Sequence, residues 1–298
     1  MRIAVAGSSG LIGTALVPAL ERAGHEVVTL VRREPEGARE VRWDPAAGSL
    51  NRAALGRVDA LVNLAGATID TRWTDERKRE IRESRLQTTA LLAEAAAAAA
   101  DTAPALVCAS AIGFYGDRGD EELTEESAPG DDGFLTRLVR DWEAAAEPAR
   151  AAGRRVVTLR TGLVLSGKGG LLARMLLPFK LGAGGRLASG QQWWSWILLD
   201  DVVRAYRHAL ESDLDGPVNL TAPDPVRNAE FTDALGRALH RPTLLPTPTP
   251  GLWVLFGREA TREAILSGAR VLPARLEASG FAWDEPQLDG AIRRALAH

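Results

Sequence analysis

The strongest constraint in the sequence is a glycine-rich turn near the start of the chain, Gly7-Ser8-Ser9-Gly10-Leu11-Ile12-Gly13. The short apolar run 3–6 precedes this turn, and an amphipathic stretch over residues 14–20 follows it. A buried strand, a glycine turn and a helix in this order predict a dinucleotide-binding unit. The glycines let backbone approach a pyrophosphate, and the helix N-terminus supplies N–H groups and partial positive charge. The G-x-x-G-x-x-G spacing alone is also compatible with a flexible turn, so its context carries the prediction.

The end of the second predicted strand, Glu26 to Val31, indicates which nucleotide the turn would hold. An acidic residue about 20 residues beyond the glycines is typical of NAD sites, whereas an arginine there suits a 2′-phosphate. Arg32 and Arg33 occupy this place, and Glu34 is the first acidic residue after them. The sequence therefore favours NADP(H) over NAD(H). The alternative is that both arginines are solvated surface residues.

Composition limits the classes of partner. The chain has 298 residues and a net charge of −3, from 36 basic and 39 acidic residues. Neither sign is gathered into long blocks, so a role with nucleic acid or an anionic membrane has no compositional support. We expect a small-molecule substrate of unknown identity and a monomer or homodimer.

Cysteine and histidine usage limits the chemistry further. Cys108 is the single cysteine, which excludes an internal disulfide, and its apolar neighbours predict a buried position. The four histidines are scattered without metal-ligand spacing, so we expect no metal site. The chain starts directly with a predicted strand and contains no apolar run near the ~20 residues of a membrane span. These features predict a cytoplasmic protein.

Predicted strands and helices alternate through the first half of the chain. Further strands are predicted at 39–43, 60–67, 105–111 and 155–160, and helices from Trp73 to about Ala100 and from Gly133 to about Ala152. This alternation predicts an α/β fold, a Rossmann-type doubly wound parallel sheet with a smaller mixed C-terminal substrate-binding region. We divide it into a dinucleotide-binding domain over 1–165, to which 196–222 returns, and a substrate-binding region over 166–298. Ligands bind such sheets at the carboxyl ends of the strands.

The second half contains two candidate walls for a substrate pocket. One is the apolar helix predicted from Leu171 to Leu181, between two glycine-rich segments. The other is the segment containing Trp193, Trp194 and Trp196, whose rings could line a pocket or seal a core. Downstream, Asp200-Asp201 and Asn228 are predicted to cap helices.

Several motifs together resemble a known superfamily. They are Gly7 to Gly13, Asn63 to Gly66, Ser110 to Gly116 and Arg160 to Leu165, and they resemble the extended short-chain dehydrogenase/reductases of the NAD-dependent epimerase/dehydratase type. Further segments are similar to the "epimerase family protein" branch of that superfamily, which has a C-terminal domain of unknown function. These segments are Arg72-Trp73, Ser84-Arg85, Asp141-Trp142-Glu143, Leu177 to Gly182, Trp194 to Ile197 and Arg270 to Phe281.

The resemblance implies a set of cofactor-binding residues for NADP(H). They are Gly7, Ser9, Gly10, Leu11, Ile12, Gly13, Arg32, Leu64, Ala65, Glu80, Arg85 and Leu163, with Leu163 beside the nicotinamide. It also implies a substrate pocket between the sheet and the C-terminal region.

The sequence departs from the superfamily at its reaction centre. That centre is a Tyr-x-x-x-Lys pair in which the lysine lowers the tyrosine pKa, and the pair is absent from this chain. In the register upstream of Glu143, Leu135 and Val139 stand in its place.

Two hypotheses remain. The first is an NADP(H)-dependent oxidoreductase or epimerase-like enzyme that uses another acid, for which Ser110 and Tyr115 are the nearest candidates. Both residues also have structural interpretations, as a hydrogen-bonded strand end and a packed loop aromatic. The second hypothesis is a non-catalytic NADP(H)-binding sensor or regulatory module.

Overall fold

The structure, a computed structural model, describes residues 1–99, 102–131, 133–243, 246–247 and 249–297. The strands are β1 (Arg2–Ala6), β2 (Glu26–Val31), β3 (Glu40–Asp44), β4 (Ser49–Leu50), β5 (Ala60–Asn63), β6 (Ala105–Ala111), β7 (Glu122–Leu123), β8 (Val156–Thr161), β9 (Leu163–Leu165), β10 (Trp193–Trp194), β11 (Trp196–Leu198), β12 (Gly216–Leu220), β13 (Val226–Arg227) and β14 (Arg270–Val271).

The α-helices are α1 (Leu11–Arg22), α2 (Arg52–Leu55), α3 (Asp75–Ala97), α4 (Phe134–Ala144), α5 (Glu147–Ala151), α6 (Gly170–Lys180), α7 (Leu199–Glu211), α8 (Asn228–Leu239), α9 (Thr249–Phe256), α10 (Arg258–Ala260), α11 (Ala274–Ala278) and α12 (Leu288–Ala297). A 3₁₀ turn spans Ile112–Tyr115, and a π-helical segment spans Thr261–Leu266.

The main sheet has eight strands in the order β4-β3-β2-β1-β5-β6-β8-β12. Seven of them run parallel, and the edge strand β4 is antiparallel to β3. The strand order reverses between β1 and β5, which is the switch point where this class of sheet binds ligands. The predicted Rossmann-type doubly wound sheet is confirmed.

Both faces of the sheet are buried, which explains the apolar runs. In β1, Ile3 and Val5 enter one core while the alternating residues Ala4 and Ala6 enter the other. Helices α1 and α7 pack on the first face, and α3 and α5 cover the second. A strand covered on both sides is typically a near-continuous apolar run.

The segment 196–222 lies partly in the main sheet. Its helix α7 packs against α1, and its last strand, β12, pairs with β8 at the sheet edge. Its first strand, β11, pairs with β9 in a separate two-stranded sheet. The division into two domains at residue 165 stays a prediction.

Two predicted helices have different bounds in the structure. The helix predicted from Trp73 begins at Asp75, because Thr74 is the N-cap and its hydroxyl accepts from the Arg77 N–H at 3.1 Å. It ends at Ala97, and the predicted end at Ala100 lies outside the described residues. The helix predicted over 133–152 divides into α4 and α5, where Pro148 lies in the first turn of α5. Proline has no N–H for a continuous helix and favours a new start.

The two predicted caps were wrong. Helix α7 begins at Leu199, and the buried Asp201 carboxylate instead accepts from the backbone N–H groups of Asp284 and Glu285, at 2.8 and 3.2 Å. Helix α8 has Arg227 as its N-cap, and Asn228 accepts from the Leu187 N–H at 2.8 Å. Both side chains hold distant loops, which local sequence does not reveal.

We predict that Gly13→Ala lowers the free energy of unfolding by about 1–3 kcal/mol, because overpacking displaces neighbouring atoms. The added Cβ would lie 2.3 Å from the carbonyl oxygen of Gly7 and 2.7 Å from Ser8 Cα. Urea denaturation measures the change. Gly37→Ala is the control, since nothing lies within 4 Å of its Cβ position. Equal losses of stability in the two variants would contradict the prediction.

Candidate cofactor-binding and active site

The glycine turn joins β1 to α1 at the switch point of the sheet, and its backbone is tightly packed. Gly7 has a φ of +80°, and a Cβ there would lie 2.6 Å from the carbonyl carbon of Leu64. At Gly10 the nearest neighbour of such a Cβ would be the Gly7 oxygen, at 3.4 Å, and Ser9 and Gly10 are exposed. Gly7 and Gly13 are therefore required for internal packing, whereas the tip of the turn is open to a ligand.

The two arginines after β2 have different environments. Arg33 donates two hydrogen bonds to Glu40, at 2.8 and 2.6 Å, and its ion pair with Glu36 is 3.2 Å long. These contacts raise the pKa of Arg33, chiefly through the hydrogen bond to Glu40. Arg32 is exposed and makes no hydrogen bond or ion pair with the described residues. Of the two, Arg32 is available to an anion at the end of β2.

The loop after β5 is held by α3. Ser84 accepts from the Ala67 N–H at 2.9 Å, and Arg85 donates to the Ala67 carbonyl at 2.9 Å. A Cβ on Gly66 would lie 3.2 Å from the guanidinium carbon of Arg85, so this glycine lets the guanidinium lie close to the loop. Leu64 and Ala65 are the first two residues of this loop, and they therefore lie between the glycine turn and α3.

Arg85 carries a positive charge without a carboxylate partner among the described residues. Its guanidinium donates to two carbonyls and lies 5.1 Å from the centre of the Trp142 ring. Burial, and to a lesser extent the nearby Arg77, lowers the pKa of Arg85 to about 10, so the side chain remains charged at neutral pH. Glu80, one turn away, is exposed and paired with Arg77.

Leu163 begins β9 immediately after β8 leaves the main sheet. Its N–H donates to the Ser195 carbonyl at 2.8 Å, and it pairs with Trp196 in β11. Gly162 permits this close approach, since a Cβ there would lie 2.3 Å from the Ser195 oxygen. Leu163 therefore lies at the carboxyl end of the sheet, at the start of the C-terminal region.

A chain of hydrogen bonds starts at Ser110, next to the end of β6. The Ser110 hydroxyl donates to Glu143 Oε1 at 2.6 Å, and Arg160 donates to both oxygens of Glu143, at 2.9 and 2.8 Å. Arg160 also donates to the Tyr115 hydroxyl at 3.0 Å, which donates to Asn219 Oδ1 at 2.7 Å. The chain ends where Asn219 donates to the Leu272 carbonyl at 2.9 Å.

Both candidate acids belong to this network and are buried. Ser110 has 4% of its surface exposed and Tyr115 has none. Burial raises the pKa of Tyr115 despite the nearby Arg160, and its hydroxyl is bonded on both sides within the core. The structural interpretation of Tyr115 as a packed aromatic agrees with its position. The catalytic roles of Ser110 and Tyr115 stay predictions, and burial favours Ser110 over Tyr115.

Leu135 and Val139 are aliphatic residues in the register predicted for the superfamily's Tyr-x-x-x-Lys pair. A Cβ on Gly113 would lie 3.5 Å from Leu135 Cβ and 3.8 Å from Val139 Cγ2. Both residues lie on the face of α4 that meets the 3₁₀ turn after β6. Neither side chain can exchange a proton, so these two positions supply no acid.

Trp194 and Trp196 of the tryptophan-rich segment pack into a hydrophobic core. Trp196 is fully buried and Trp194 stacks edge-on against Phe231, with 4.9 Å between ring centres. Trp193 lies between the guanidinium groups of Arg227 and Arg270, at 4.1 and 4.8 Å. Of the two interpretations of this segment, core packing fits the burial.

Sequence reasoning missed the roles of Glu143, Arg160 and Asn219. One signal was present, because Arg160 interrupts the apolar strand Val156–Thr161 and a buried arginine needs a charged partner. Its partner is 17 residues away, and Asn219 is 104 residues from Tyr115. Only the fold brings these side chains together.

The described residues contain no group of three or more histidine, cysteine, aspartate or glutamate residues arranged to hold a metal ion. Within the same residues, none of the helices is both long and apolar enough to cross a bilayer.

Comparison with known proteins identifies relatives across the whole chain. Residues 3–220 match the NAD dependent epimerase/dehydratase family, and residues 247–295 match a domain of unknown function. An epimerase family protein of Mycobacterium bovis is 46% identical over 293 residues, which cover 97% of this chain and 96% of that protein.

Two solved structures are also similar. The human epimerase family protein SDR39U1, crystallised with NADPH, has a TM-score of 0.89 and 37% identity, covering 100% of this chain and 99% of that one. A nucleoside-diphosphate sugar epimerase from Corynebacterium glutamicum has a TM-score of 0.82 and 39% identity, covering 99% of this chain and 58% of that one.

We predict that Glu143→Gln destabilises the fold by about 3–5 kcal/mol, because it leaves the buried Arg160 charge without a counter-charge. The side chains of Arg160 and Glu143 are 5% and 13% exposed. Chemical denaturation with circular dichroism measures the loss. Glu147→Gln is the control, since that side chain is 67% exposed and lies 3.9 Å from Arg150. A Glu143→Gln variant as stable as this control would show that the pair is not needed.

Proposed function

Because the chain belongs to the NAD-dependent epimerase/dehydratase family, we propose that it binds NADP(H) and acts as an oxidoreductase or epimerase-like enzyme on a small molecule. The single observation that carries the proposal is the open glycine turn packed against Leu64, with the unpartnered Arg32 at the end of the next strand. The NADPH present in the crystals of the similar human protein supports it.

The choice of NADP(H) over NAD(H) rests on Arg32. A planar guanidinium can donate two parallel hydrogen bonds to a phosphate, which gives both affinity and specificity. Arg33 is already bonded to Glu40, so it has fewer donors left for this role. We therefore assign the 2′-phosphate contact to Arg32.

The geometry of the switch point supports the remaining cofactor contacts, which the family resemblance implies. Backbone N–H groups of the turn, from Ser9 to Gly13, would face the pyrophosphate at the start of α1. Leu64 and Ala65 border the same crevice, and Leu163 would lie beside the nicotinamide. The charge of Arg85, which has no carboxylate partner among the described residues, supports an anionic ligand near this loop. Glu80 is assigned to the cofactor site on the family resemblance alone.

The bound cofactor would supply hydride transfer at the nicotinamide ring, and this chain's residues would position the substrate and move a proton. Ser110 donates its own proton to Glu143, which leaves its oxygen free to accept a substrate hydroxyl proton. In substrate oxidation that proton would pass to Ser110 Oγ as the serine proton passes to Glu143 Oε1. Arg160 would hold Glu143 in place for this exchange. Reduction would run the same steps in reverse.

A non-catalytic sensor is the second candidate function. The aliphatic pair Leu135 and Val139 favours it, because neither side chain can donate a proton at the positions predicted for the Tyr-x-x-x-Lys pair. A sensor requires the cofactor contacts but does not require Ser110 or Glu143. The two functions therefore differ in the expected effect of Ser110→Ala, which should slow turnover if the protein is an enzyme and should leave cofactor binding by a sensor unchanged.

The proposal extends to partners and location. It assigns a small-molecule substrate, no nucleic-acid or membrane partner, and a monomeric or homodimeric state. It also includes a cytoplasmic location, which the single buried thiol of Cys108 supports because unpaired cysteines are typical of reducing compartments.

We predict that Arg32→Ala weakens NADPH binding about 10- to 100-fold and leaves NADH binding nearly unchanged, because only NADPH carries the 2′-phosphate. Titration calorimetry with both cofactors measures the effect. Arg33→Ala is the matched control and should change neither affinity strongly, since its side chain bonds to Glu40. Equal losses for NADPH and NADH in Arg32→Ala would contradict the assignment.

We predict that some compound in a panel of carbonyl compounds and nucleotide sugars oxidises bound NADPH, followed by absorbance. Ser110→Ala should slow that reaction about 100-fold or more, the range expected for loss of a proton-transfer group. Tyr115→Phe is the comparison, because its hydroxyl lies deeper in the same network. No turnover with any compound, together with tight NADPH binding, would favour the sensor.

A further inference from the structure

The loop between β9 and α6, residues 166–170, lies against the first residue of α1. A Cβ on Gly169 would lie 3.2 Å from Leu11 Cδ1, and one on Gly170 would lie 3.5 Å from Leu11 Cδ2. Leu11 belongs to the glycine turn proposed to hold the pyrophosphate. The loop is therefore a neighbour of that site, although it is more than 150 residues away in sequence.

The backbone of this loop is fixed at several points. The Gly167 N–H donates to the Ala295 carbonyl at 3.0 Å, and a Cβ on Gly167 would lie 2.5 Å from that oxygen. The Lys168 N–H donates to the Ser166 hydroxyl at 3.2 Å. Contacts on both sides of Lys168 thus set the position of its backbone relative to α1.

Lys168, like Lys180, differs from Lys78 in its surroundings. The chain contains three lysines, Lys78, Lys168 and Lys180. Lys78 donates to Glu259 at 3.0 Å and pairs with Asp75 at 3.3 Å. Lys168 is exposed, and its ammonium makes no hydrogen bond or ion pair with the described residues.

The glycine turn itself contains no charged side chain over residues 7–13. Its N–H groups can bond to a pyrophosphate but bring only partial positive charge to that anion. A cation from another segment would complete the site, because an ammonium bound to a phosphate makes a stronger, charge-assisted hydrogen bond. Lys168 lies within the loop that touches Leu11 and directly precedes Gly169.

We propose that Lys168 is a further binding residue of the cofactor site and contacts the pyrophosphate of the dinucleotide. This inference rests on the proposed function. It differs from the role of Arg32, which discriminates between NADPH and NADH. A pyrophosphate contact instead strengthens the binding of NADPH and of NADH equally, since both cofactors contain that group.

Titration calorimetry of the full chain with NADPH and with NADH tests the inference. Lys168→Ala should weaken the binding of both cofactors about tenfold and leave the ratio of their affinities unchanged. Lys180→Ala is the matched control, because Lys180 is also exposed and lies at the far end of α6, about 16 Å along the helix. Unchanged thermal unfolding of both variants would show that the fold is intact.

Three results would overturn the inference in distinguishable ways. Unchanged affinities in Lys168→Ala would show that the lysine makes no contact. A loss confined to NADPH would place the lysine at the 2′-phosphate. If the wild-type protein binds neither cofactor, the proposed function fails together with the inference.

Discussion

The close packing of backbone against backbone at the glycine turn is the constraint on which the site depends. Gly7 lies where a side chain would meet Leu64, and Gly13 lies where one would meet the Gly7 oxygen. These two contacts join the ends of β1 and β5 to the start of α1. The crevice at the switch point of the sheet is therefore formed by packing within the protein, with its tip left open for a ligand.

The buried polar network provides the second link, between the sheet and the C-terminal region. It runs from Ser110 through Glu143, Arg160 and Tyr115 to Asn219, which bonds to the carbonyl of residue 272. Such a network is stabilising only when every member is bonded, because an unpaired buried charge is costly. The same bonds that stabilise the fold give Ser110 its orientation, so stability and the proposed proton transfer depend on one set of contacts.

Sequence predicted the features that depend on local pattern. The mostly apolar strands and the glycine turn predicted the fold class, because strands buried on both faces cannot carry polar residues freely. Contacts between distant segments could not be predicted in this way. Asp201 and Asn228 have the residue types of helix caps but bond to remote loops, and Trp194 and Trp196 could be assigned to the core only from their burial. Arg32 and Arg33 are neighbours in sequence, and only the position of Glu40 distinguishes them.

The central claim is that the turn binds a phosphorylated nicotinamide dinucleotide. The most direct measurement is calorimetric titration of the purified, ligand-stripped protein with NADPH, with NADH titrated in parallel. The account predicts saturable one-to-one binding of NADPH that is at least about tenfold tighter than binding of NADH. No saturable binding of NADPH at millimolar concentrations would contradict it.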